Sequence, residues 1–209
     1  MKPKVVVFDF GGVLIDWNPD YLYRKLIADP GERRRFLSEV CSMDWVVRQD
    51  GGQSIAEGTQ ELIARFPHEA ERIRAFYERW EEMIGGVIDD GAALVDRLDA
   101  AGVPLFGLTN WSNETFPYAW EHFDVLRRFR DIVVSGRVKL VKPDPRIYAE
   151  TLARIERHLP GIAPHEIVFI DDNPKNAAAA AAAGWHGVHH TSAAATEAQL
   201  RALGFAVGR

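Results

Sequence analysis

The chain has 209 residues, of which 47% are hydrophobic and 26% are charged, a balance typical of a folded globular protein with a sizeable core. Its net charge of −5, with Lys and Arg scattered along the chain, argues against nucleic-acid and membrane-surface partners. No run approaches the roughly 18 apolar residues that span a bilayer, and the short apolar run before Asp9 lacks the features of a secretion signal. We therefore expect a cytoplasmic protein, and the single cysteine, Cys41, fits a reducing compartment and a place in the core.

The first predicted element is a strand over residues 5–8, VVVF, a continuous run of apolar and mostly β-branched residues. A run without alternation is typical of a parallel strand that is buried on both faces. Asp9, Phe10 and the pair Gly11-Gly12 follow it, which predicts a turn with a carboxylate at the strand tip.

Residues 19–86 follow a different pattern. They are rich in Arg, Glu and aromatic residues at helical spacing, and they contain no convincing strand. Gly51-Gly52 and Pro67 interrupt this pattern. The segment predicts several amphipathic helices, inserted after the first strand.

After residue 86, predicted helices and strands alternate. Strands are predicted at residues 103–108, 132–134, 167–170 and 185–189. Helices are predicted at residues 92–101, from Ser112 as the N-cap, at 145–158 behind Asp144, at 174–184, and at the C-terminus. The alternation predicts an α/β fold, a parallel sheet with helices on both faces, and the alanine run 177–183 predicts a helix packed closely against it. We expect two units, a core of residues 1–16 and 87–209 and a helical insertion of residues 17–86.

Polar residues stand where three of the predicted strands end: Asp9, Thr109-Asn110 and Asp171-Asp172. Ligands of open parallel sheets bind beyond the carboxyl ends of the strands, so we expect these side chains to meet there. A fourth segment, KLVKPDPRIY, places Lys142 directly before a helix that begins near the same edge.

These residue types favour metal-assisted chemistry on a phosphate. Neighbouring carboxylates repel one another and require a cation, and oxygen ligands suit Mg²⁺, which binds one or two carboxylates together with substrate phosphate. Lys142 adds a positive charge for a phosphate, Thr109 adds a hydroxyl donor, and the glycine pair offers free backbone N–H groups. A carboxylate nucleophile among such groups describes phosphoryl transfer through an aspartyl phosphate.

Four segments, VVFDFGGVLID, LFGLTNWS, KLVKPDPRIY and VFIDDNPKN, resemble in order and character the four motifs of the haloacid dehalogenase superfamily. The resemblance covers the chain except for the helical insertion, which lies where that family carries a helical cap of the first type. It implies a Rossmann-like core in which Asp9 is the nucleophile, Thr109 binds phosphate and Lys142 steadies charge. It also implies a Mg²⁺ ion held by Asp9, Asp172, Asp171 and the backbone carbonyl of Gly11.

Gly11 departs from the family's usual pattern, in which an aspartate at this position is the general acid and base. The sequence is similar to a subgroup with glycine there, which includes bacterial glucose-1-phosphate phosphatases and the N-terminal domain of epoxide hydrolases. General acid catalysis contributes about 10² to 10⁴ in rate, so the source of the proton is an open question. The hypotheses are a leaving group that needs little help, such as the anomeric oxygen of a sugar 1-phosphate, a water, or a cap residue, with Asp16 the nearest acid in sequence.

The sequence thus predicts a Mg²⁺-dependent phosphomonoester hydrolase. Its expected partner is a small-molecule phosphate ester, with a sugar phosphate favoured, and the protein is expected to be a monomer or a homodimer. The residues predicted to contact the substrate are Gly11, Gly12, Asn110, Trp111, Arg48 and Asp16. Trp17 and Trp111 are the aromatic residues best placed to line the pocket, although Trp111 fits packing against the cap equally well.

Two other functions stay open. One is a metal-independent 2-haloacid dehalogenase, a branch of the family with a tyrosine in place of Gly11 and with Ser and Asn residues in the loop of the metal site. There, Asp171 and Asp172 would each repel a carboxylate substrate by on the order of 4 kcal/mol at about 4 Å and an effective dielectric near 20. Arg48 is the residue that would serve a carboxylate or a phosphate.

The second alternative is a catalytically weak binding or regulatory module. The presence of the four predicted motif residues in one chain speaks against it: Asp9, Thr109, Lys142 and Asp172.

Overall fold

In a computed structural model, which describes residues 2–207, the chain alternates between strands and helices. The strands are β1 Val5–Phe8, β2 Ile15–Trp17, β3 Ile84–Val87, β4 Leu105–Thr109, β5 Ile132–Val134, β6 Ile167–Asp171 and β7 His186–His189. The helices are α1 Asp20–Leu26, α2 Pro30–Arg35, α3 Met43–Asp50, α4 Ile55–Arg65, α5 Ala70–Glu78, α6 Asp89–Ala100, α7 Phe116–His122, α8 Ser135–Val138, α9 Pro145–His158, α10 Pro174–Ala182 and α11 Ala193–Ala202. Within the described residues, no helix combines the length and the apolar character that crossing a bilayer requires.

Five strands form one parallel sheet in the order β5-β4-β1-β6-β7. β1 lies at its centre, where Val6 pairs with Leu105 of β4 and with Val168 of β6. All four residues of β1 are fully buried, as the unbroken apolar run predicts. The chain crosses from one side of β1 to the other between β5 and β6, so the carboxyl end of β1 is a point where ligands of such sheets bind.

Helices cover both faces of this sheet. Val6 and Phe8 of β1 belong to one apolar cluster together with residues of α6, whereas Val5 and Val7 belong to a second cluster with residues of α9 and α10. Successive side chains of a strand point to opposite faces, so β1 contributes to both halves of the core. The predicted α/β fold is confirmed.

α9 begins where its capping residue predicts. α9 starts at Pro145, and the Asp144 side chain accepts a hydrogen bond from the backbone N–H of Arg146. The alanine-rich α10 lies so close to β7 that a Cβ at Gly187 would collide with the backbone carbonyl of Ala177. The expected close packing of this helix is confirmed.

The prediction that residues 19–86 contain no strand is wrong at the end of that segment. β3 pairs with β2 in an antiparallel ribbon, in which Ile15 lies opposite Val87 and Asp16 opposite Gly86. The sequence of β3, IGGV, lacks the residue types typical of a strand, so its conformation depends on the pairing with β2. The ribbon brings together the two points where the chain enters and leaves the helical segment, residues 20–83.

The predicted N-cap at Ser112 is also wrong. α7 begins at Phe116, and Thr115 precedes it. The Ser112 hydroxyl instead accepts a hydrogen bond from the backbone N–H of Glu114, which closes a local turn. Serine forms such turns by the same type of bond that caps a helix, so the sequence alone does not separate the two.

Cys41 is buried next to Tyr23 in the core, with 2% of its surface exposed. Burial raises the pKa of its thiol to about 12, so the reactive thiolate is about one part in 10⁴ at pH 8. We expect iodoacetamide to leave Cys41 unmodified in the folded protein and to label it readily in denaturant, as measured by mass spectrometry. Native labelling at the rate of a free cysteine would contradict this buried environment.

Candidate active site

The carboxyl edge of the sheet opens into a cavity of about 500 Å³, a size typical of small-molecule sites. The loops after β1, β4 and β6 line it together with residues of α3 and α5. The sequence-predicted residues that line it are Asp9, Gly11, Gly12, Thr109, Asn110, Trp111, Lys142 and Asp172. Asp171 is fully buried at the end of β6.

Asp9 follows β1 directly and has 7% of its surface exposed. Its Oδ1 accepts hydrogen bonds from the backbone N–H of Phe10 at 2.7 Å and from Nζ of Lys142 at 2.8 Å. Among residues 2–207 no hydrogen bond is donated to Oδ2, which is therefore the oxygen able to attack a substrate. Burial raises the pKa of Asp9, the Lys142 ammonium lowers it, and Asp171 raises it again, with a net rise.

Lys142 is buried between two carboxylates, with its Nζ 2.8 Å from Oδ1 of Asp9 and 2.7 Å from Oδ2 of Asp171. Burial alone would lower the pKa of Lys142, but the two carboxylates raise it above its usual value, so the side chain is an ammonium ion. Asp171 also accepts hydrogen bonds from the backbone N–H of Asn173 and the side-chain amide of Asn176. Three donors thus share its two oxygens.

The backbone of Lys142 is held as well, by two hydrogen bonds with the side chain of Asn110. Its Oδ1 accepts a hydrogen bond from the Lys142 N–H at 2.8 Å, and its Nδ2 donates to the Lys142 carbonyl at 3.1 Å. Thr109, which precedes Asn110 at the end of β4, is buried and lines the cavity. The loop after β4 is thereby tied to the segment that carries the buried ammonium.

Three carboxylates meet at this edge. Asp9, Asp171 and Asp172 each offer an oxygen that lies within 4.8 Å of the others. Partial burial, and then the charge of Asp171, raises the pKa of Asp172. Lys142 can balance only one of three negative charges, so a divalent cation with oxygen ligands, such as Mg²⁺, fits the set. Because both oxygens of Asp171 already accept hydrogen bonds, Asp9 and Asp172 are the more accessible ligands.

The two glycines after Asp9 differ in what they require. Gly12 has a φ of +68°, and a Cβ there would collide with the Asp172 carboxylate, so any other residue would be strained. At Gly11 no atom of residues 2–207 lies within 4 Å of the position that a Cβ would take. A side chain would therefore have space at position 11.

The part of the cavity lining that the helical segment contributes is mainly apolar. Its residues are Met43, Asp44, Val46, Val47, Asp50, Phe76, Tyr77 and Trp80, and Trp17 of β2 adds a further aromatic ring. Trp111 lines the cavity and also packs against Trp80, with ring centroids 5.7 Å apart, so both options that the sequence left open hold. The indole Nε1 of Trp17 is buried and has no hydrogen-bond partner within the described residues.

Two residues predicted to contact the substrate lie elsewhere, and the structure contradicts their placement. Arg48 is exposed and pairs with Glu61 of α4. Asp16 lies in the ribbon, where it accepts a hydrogen bond from the Tyr21 hydroxyl at 2.6 Å, and it does not line the cavity. Position in the sequence does not determine which face of a helix or ribbon meets the cavity, and this is why both predictions failed.

Asp50, the last residue of α3, lines the cavity and was missed by the sequence reasoning. Burial raises the pKa of Asp50 to about 7, although the backbone N–H of Ser112 and the Lys142 ammonium both lower it. The Asp50 backbone carbonyl accepts a hydrogen bond from the Ser135 hydroxyl at 2.6 Å. The available signal was an acidic residue at the C-terminal end of a helix, where the macrodipole favours a basic one.

Known proteins resemble this chain in sequence and fold. Residues 3–184 match the family of haloacid dehalogenase-like hydrolases. The sesquiterpene phosphatase AstK of Aspergillus oryzae is 27% identical over 209 aligned positions, which cover 96% of each chain. A phosphoglycolate phosphatase of Escherichia coli is 25% identical over 201 positions, which cover 86% of this chain and 77% of that protein.

A solved structure shows the same fold. It is a HAD-like family hydrolase of Porphyromonas gingivalis, which superposes with a TM-score of 0.69 at 21% identity and covers 96% of this chain and 99% of its own. The family match extends over most of the chain, including every strand of the parallel sheet except the last. The protein therefore belongs to the haloacid dehalogenase-like hydrolases and is an enzyme.

Proposed function

We propose that the protein is a Mg²⁺-dependent phosphomonoester hydrolase that acts through an aspartyl phosphate on a small phosphorylated metabolite. The observation that carries this proposal is the Oδ2 atom of Asp9, which faces no donor among residues 2–207 and lies beside a buried ammonium and a carboxylate cluster. A dianionic phosphate suits such a site, because the ammonium and a bound cation offset its charge. The two phosphatases among the relatives support the same reaction class.

Each residue has a role in this reaction. Oδ2 of Asp9 attacks phosphorus, the bond from phosphorus to the ester oxygen breaks, and Asp9 carries the phosphoryl group. Lys142 holds Asp9 and offsets charge on the phosphoryl oxygens, while the Thr109 hydroxyl and the backbone N–H groups at Gly11-Gly12 bind those oxygens. Water then attacks phosphorus, which releases inorganic phosphate and restores Asp9.

We assign the Mg²⁺ site to Asp9, Asp172 and the backbone carbonyl of Gly11. When bound, the ion supplies positive charge that stabilises the transferring phosphoryl group. Asp171 has a different role in this assignment from the direct ligand that the resemblance implies. It accepts hydrogen bonds from the Lys142 ammonium and from the Asn176 amide, and so it fixes the position of Lys142 in the site.

We further propose that residues 17–86 are a helical cap on a core of residues 1–16 and 87–209, as in the subgroup with glycine at position 11. Two observations support it: α3 and α5 line the same cavity as the residues at the sheet edge, and the β2–β3 ribbon joins the two connections. A cap of this kind would exclude water from the site and select the substrate.

The lining of the cavity bears on the substrate. Aromatic and aliphatic side chains dominate the wall of the helical segment, which offers few partners to the hydroxyl groups of a sugar. We therefore favour the phosphate ester of an apolar alcohol over the sugar phosphate expected from the sequence. The name of the Aspergillus oryzae relative, a sesquiterpene phosphatase, points in the same direction.

A panel of phosphomonoesters, assayed with Mg²⁺ and again after EDTA treatment, tests the function. The panel contains p-nitrophenyl phosphate, glucose 1-phosphate, phosphoglycolate and farnesyl phosphate, with 2-chloropropionate as the haloacid control. We expect turnover that EDTA abolishes, with the highest kcat/KM on farnesyl phosphate. Metal-independent chloride release would support the dehalogenase instead, and inactivity on both classes would support a binding module.

Trp17→Ala is expected to raise KM about fivefold for the best ester of that panel, with little change in kcat. Trp17 lines the cavity, so the substitution removes apolar contact with the alcohol part of the substrate, worth about 1 kcal/mol. Steady-state kinetics measure the effect. Trp120→Ala is the control, because Trp120 is exposed and does not line the cavity. An unchanged KM in the Trp17 variant would show that the Trp17 ring does not contact the substrate.

A further inference from the structure

We propose that Asp50 is the general acid and base of this site, which protonates the leaving oxygen and then takes a proton from the attacking water. The inference rests on the proposed phosphoryl transfer through Asp9. Attacking and leaving oxygens lie roughly in line across phosphorus, so the leaving oxygen points away from Asp9. Asp9 lines the cavity from the tip of β1, whereas Asp50 lines it from α3 of the helical segment, and the proposal places the leaving oxygen next to Asp50.

Asp50 is fixed at the junction between the helical segment and the loop after β4. The Ser135 hydroxyl donates to the Asp50 carbonyl at 2.6 Å, and the same hydroxyl accepts from the Trp111 N–H at 2.8 Å. The backbone N–H of Ser112 acts on the Asp50 carboxyl group, only three residues from Thr109. The carboxyl group therefore stands next to the loop that is proposed to bind the phosphoryl oxygens.

The environment of Asp50 suits both steps of acid–base chemistry. Burial brings the pKa of its carboxyl group to about 7, so the protonated and the ionised forms both occur near neutral pH. The other titratable groups that line the cavity are Asp9, Asp44, Tyr77, Lys142, Asp172 and Lys175. The elements packed on α3 carry further charges, which are Glu57, Glu61 and Arg65 on α4 and Arg137 on α8.

The other carboxyl groups near the cavity are less suited to this role. Asp44 lines the cavity from the same helix, but it is exposed, so water solvates it. Asp16 bonds to Tyr21 outside the cavity. Asp9 and Asp172 are assigned to the nucleophile and the cation. Of the carboxyl groups that line the cavity, Asp50 is thus the one that remains for this role.

The proton balance closes over one turnover. In the first step Asp9 forms its bond to phosphorus, the ester bond breaks, and the leaving oxygen takes the proton of the Asp50 carboxyl group to give the free alcohol. In the second step the Asp50 carboxylate takes one proton from water, whose oxygen bonds to phosphorus as the bond to Asp9 breaks. Inorganic phosphate leaves, and both side chains return to their starting states.

Asp50→Asn tests this assignment on phosphate esters whose leaving alcohols span a wide range of pKa, with Asp44→Asn as the matched control. We expect kcat/KM on aliphatic esters to fall by about 10² to 10⁴ in the Asp50 variant, and far less on p-nitrophenyl phosphate, whose leaving group needs no proton. The dependence of rate on leaving-group pKa should therefore steepen. Asp44→Asn should keep the wild-type dependence.

Two further measurements make the assignment specific. With p-nitrophenyl phosphate, Asp50→Asn should release a burst of about one nitrophenolate per enzyme, because the second step has lost its base. Adding Gly11→Asp to Asp50→Asn should restore part of the rate on aliphatic esters, because position 11 has space for a side chain at the site. Circular dichroism and thermal melting show whether each variant is folded. If Asp50→Asn is unfolded, Asp50→Glu replaces it, with a lower rate and the wild-type dependence expected.

The outcomes separate the two proposals. If wild type hydrolyses phosphomonoesters and a folded Asp50→Asn variant has an unchanged leaving-group dependence and no burst, Asp50 is not the acid and base, while the phosphatase function stands. If wild type hydrolyses no phosphomonoester, the proposed function fails and this inference fails with it.

Discussion

Asp9→Asn is expected to lower kcat/KM for every phosphomonoester by on the order of 10⁴-fold or more, because an amide cannot form the phosphoenzyme. The asparagine keeps Oδ1, so the hydrogen bonds from the Phe10 N–H and from Lys142 remain possible. The variant also loses one of three clustered negative charges. Its melting temperature without Mg²⁺ should therefore equal or exceed that of wild type, which separates a lost nucleophile from a lost fold.

Asp16→Asn is the control for this experiment. Its carboxylate bonds to Tyr21 and lies outside the cavity, so kcat/KM should stay within about twofold of wild type. Steady-state kinetics and thermal melting of both variants give the comparison. Appreciable turnover by Asp9→Asn, or an equal loss in Asp16→Asn, would overturn the assignment of Asp9 as the nucleophile.

Lys142→Met is expected to abolish turnover and to destabilise the fold by about 3–5 kcal/mol, the cost typical of breaking a buried ion pair. The ammonium is 1% exposed and pairs with Asp9 and Asp171, so its removal leaves two buried carboxylates without their counter-charge. Urea unfolding measures the free energy. Lys175→Met, an exposed lysine that lines the same cavity, is the control and should retain the wild-type stability.

The loss of folding stability in Lys142→Met should depend on pH. The pKa of Asp9 is already raised in the folded protein, and the variant lacks the ammonium that opposes the rise. A raised folded-state pKa costs no stability below the unfolded-state value near 4, and the cost grows as pH rises above it. The difference between the variant and wild type in the free energy of unfolding should therefore be larger at about pH 8 than at about pH 5. Mg²⁺ should reduce this difference. A loss that is the same at both pH values would argue against buried carboxylates as its cause.

The core of the fold could be predicted because its signals are local. An unbroken apolar run marks β1, and Asp144 before Pro145 marks the start of α9; each acts within a few residues. β3 could not be predicted, because its IGGV sequence becomes a strand only by pairing with β2, some 70 residues earlier. The predicted N-cap at Ser112 was wrong for a different reason, because a serine hydroxyl closes a local turn with the same type of hydrogen bond that caps a helix.

The convergence of polar residues at the sheet edge could also be predicted, because parallel strands carry their carboxyl ends to one side. Asp9, Thr109 and Asp172 line one cavity for this reason. The part of the cavity lining that the helical segment contributes could not be predicted, because helix periodicity does not show which element a given helix face will contact. Arg48 and Asp50 are two residues apart on α3, yet Arg48 faces solvent and Asp50 lines the cavity.

The double hydrogen bond between the Asn110 side chain and the Lys142 backbone has a thermodynamic consequence. An amide side chain that pairs with both the N–H and the carbonyl of another residue replaces the contact of a neighbouring strand, and it holds the backbone of Lys142 without help from any ligand. The conformational entropy of placing the ammonium is then lost during folding and not during binding. A phosphate that enters the cavity meets a charge already in position, so more of its interaction energy is available to affinity and to the reaction.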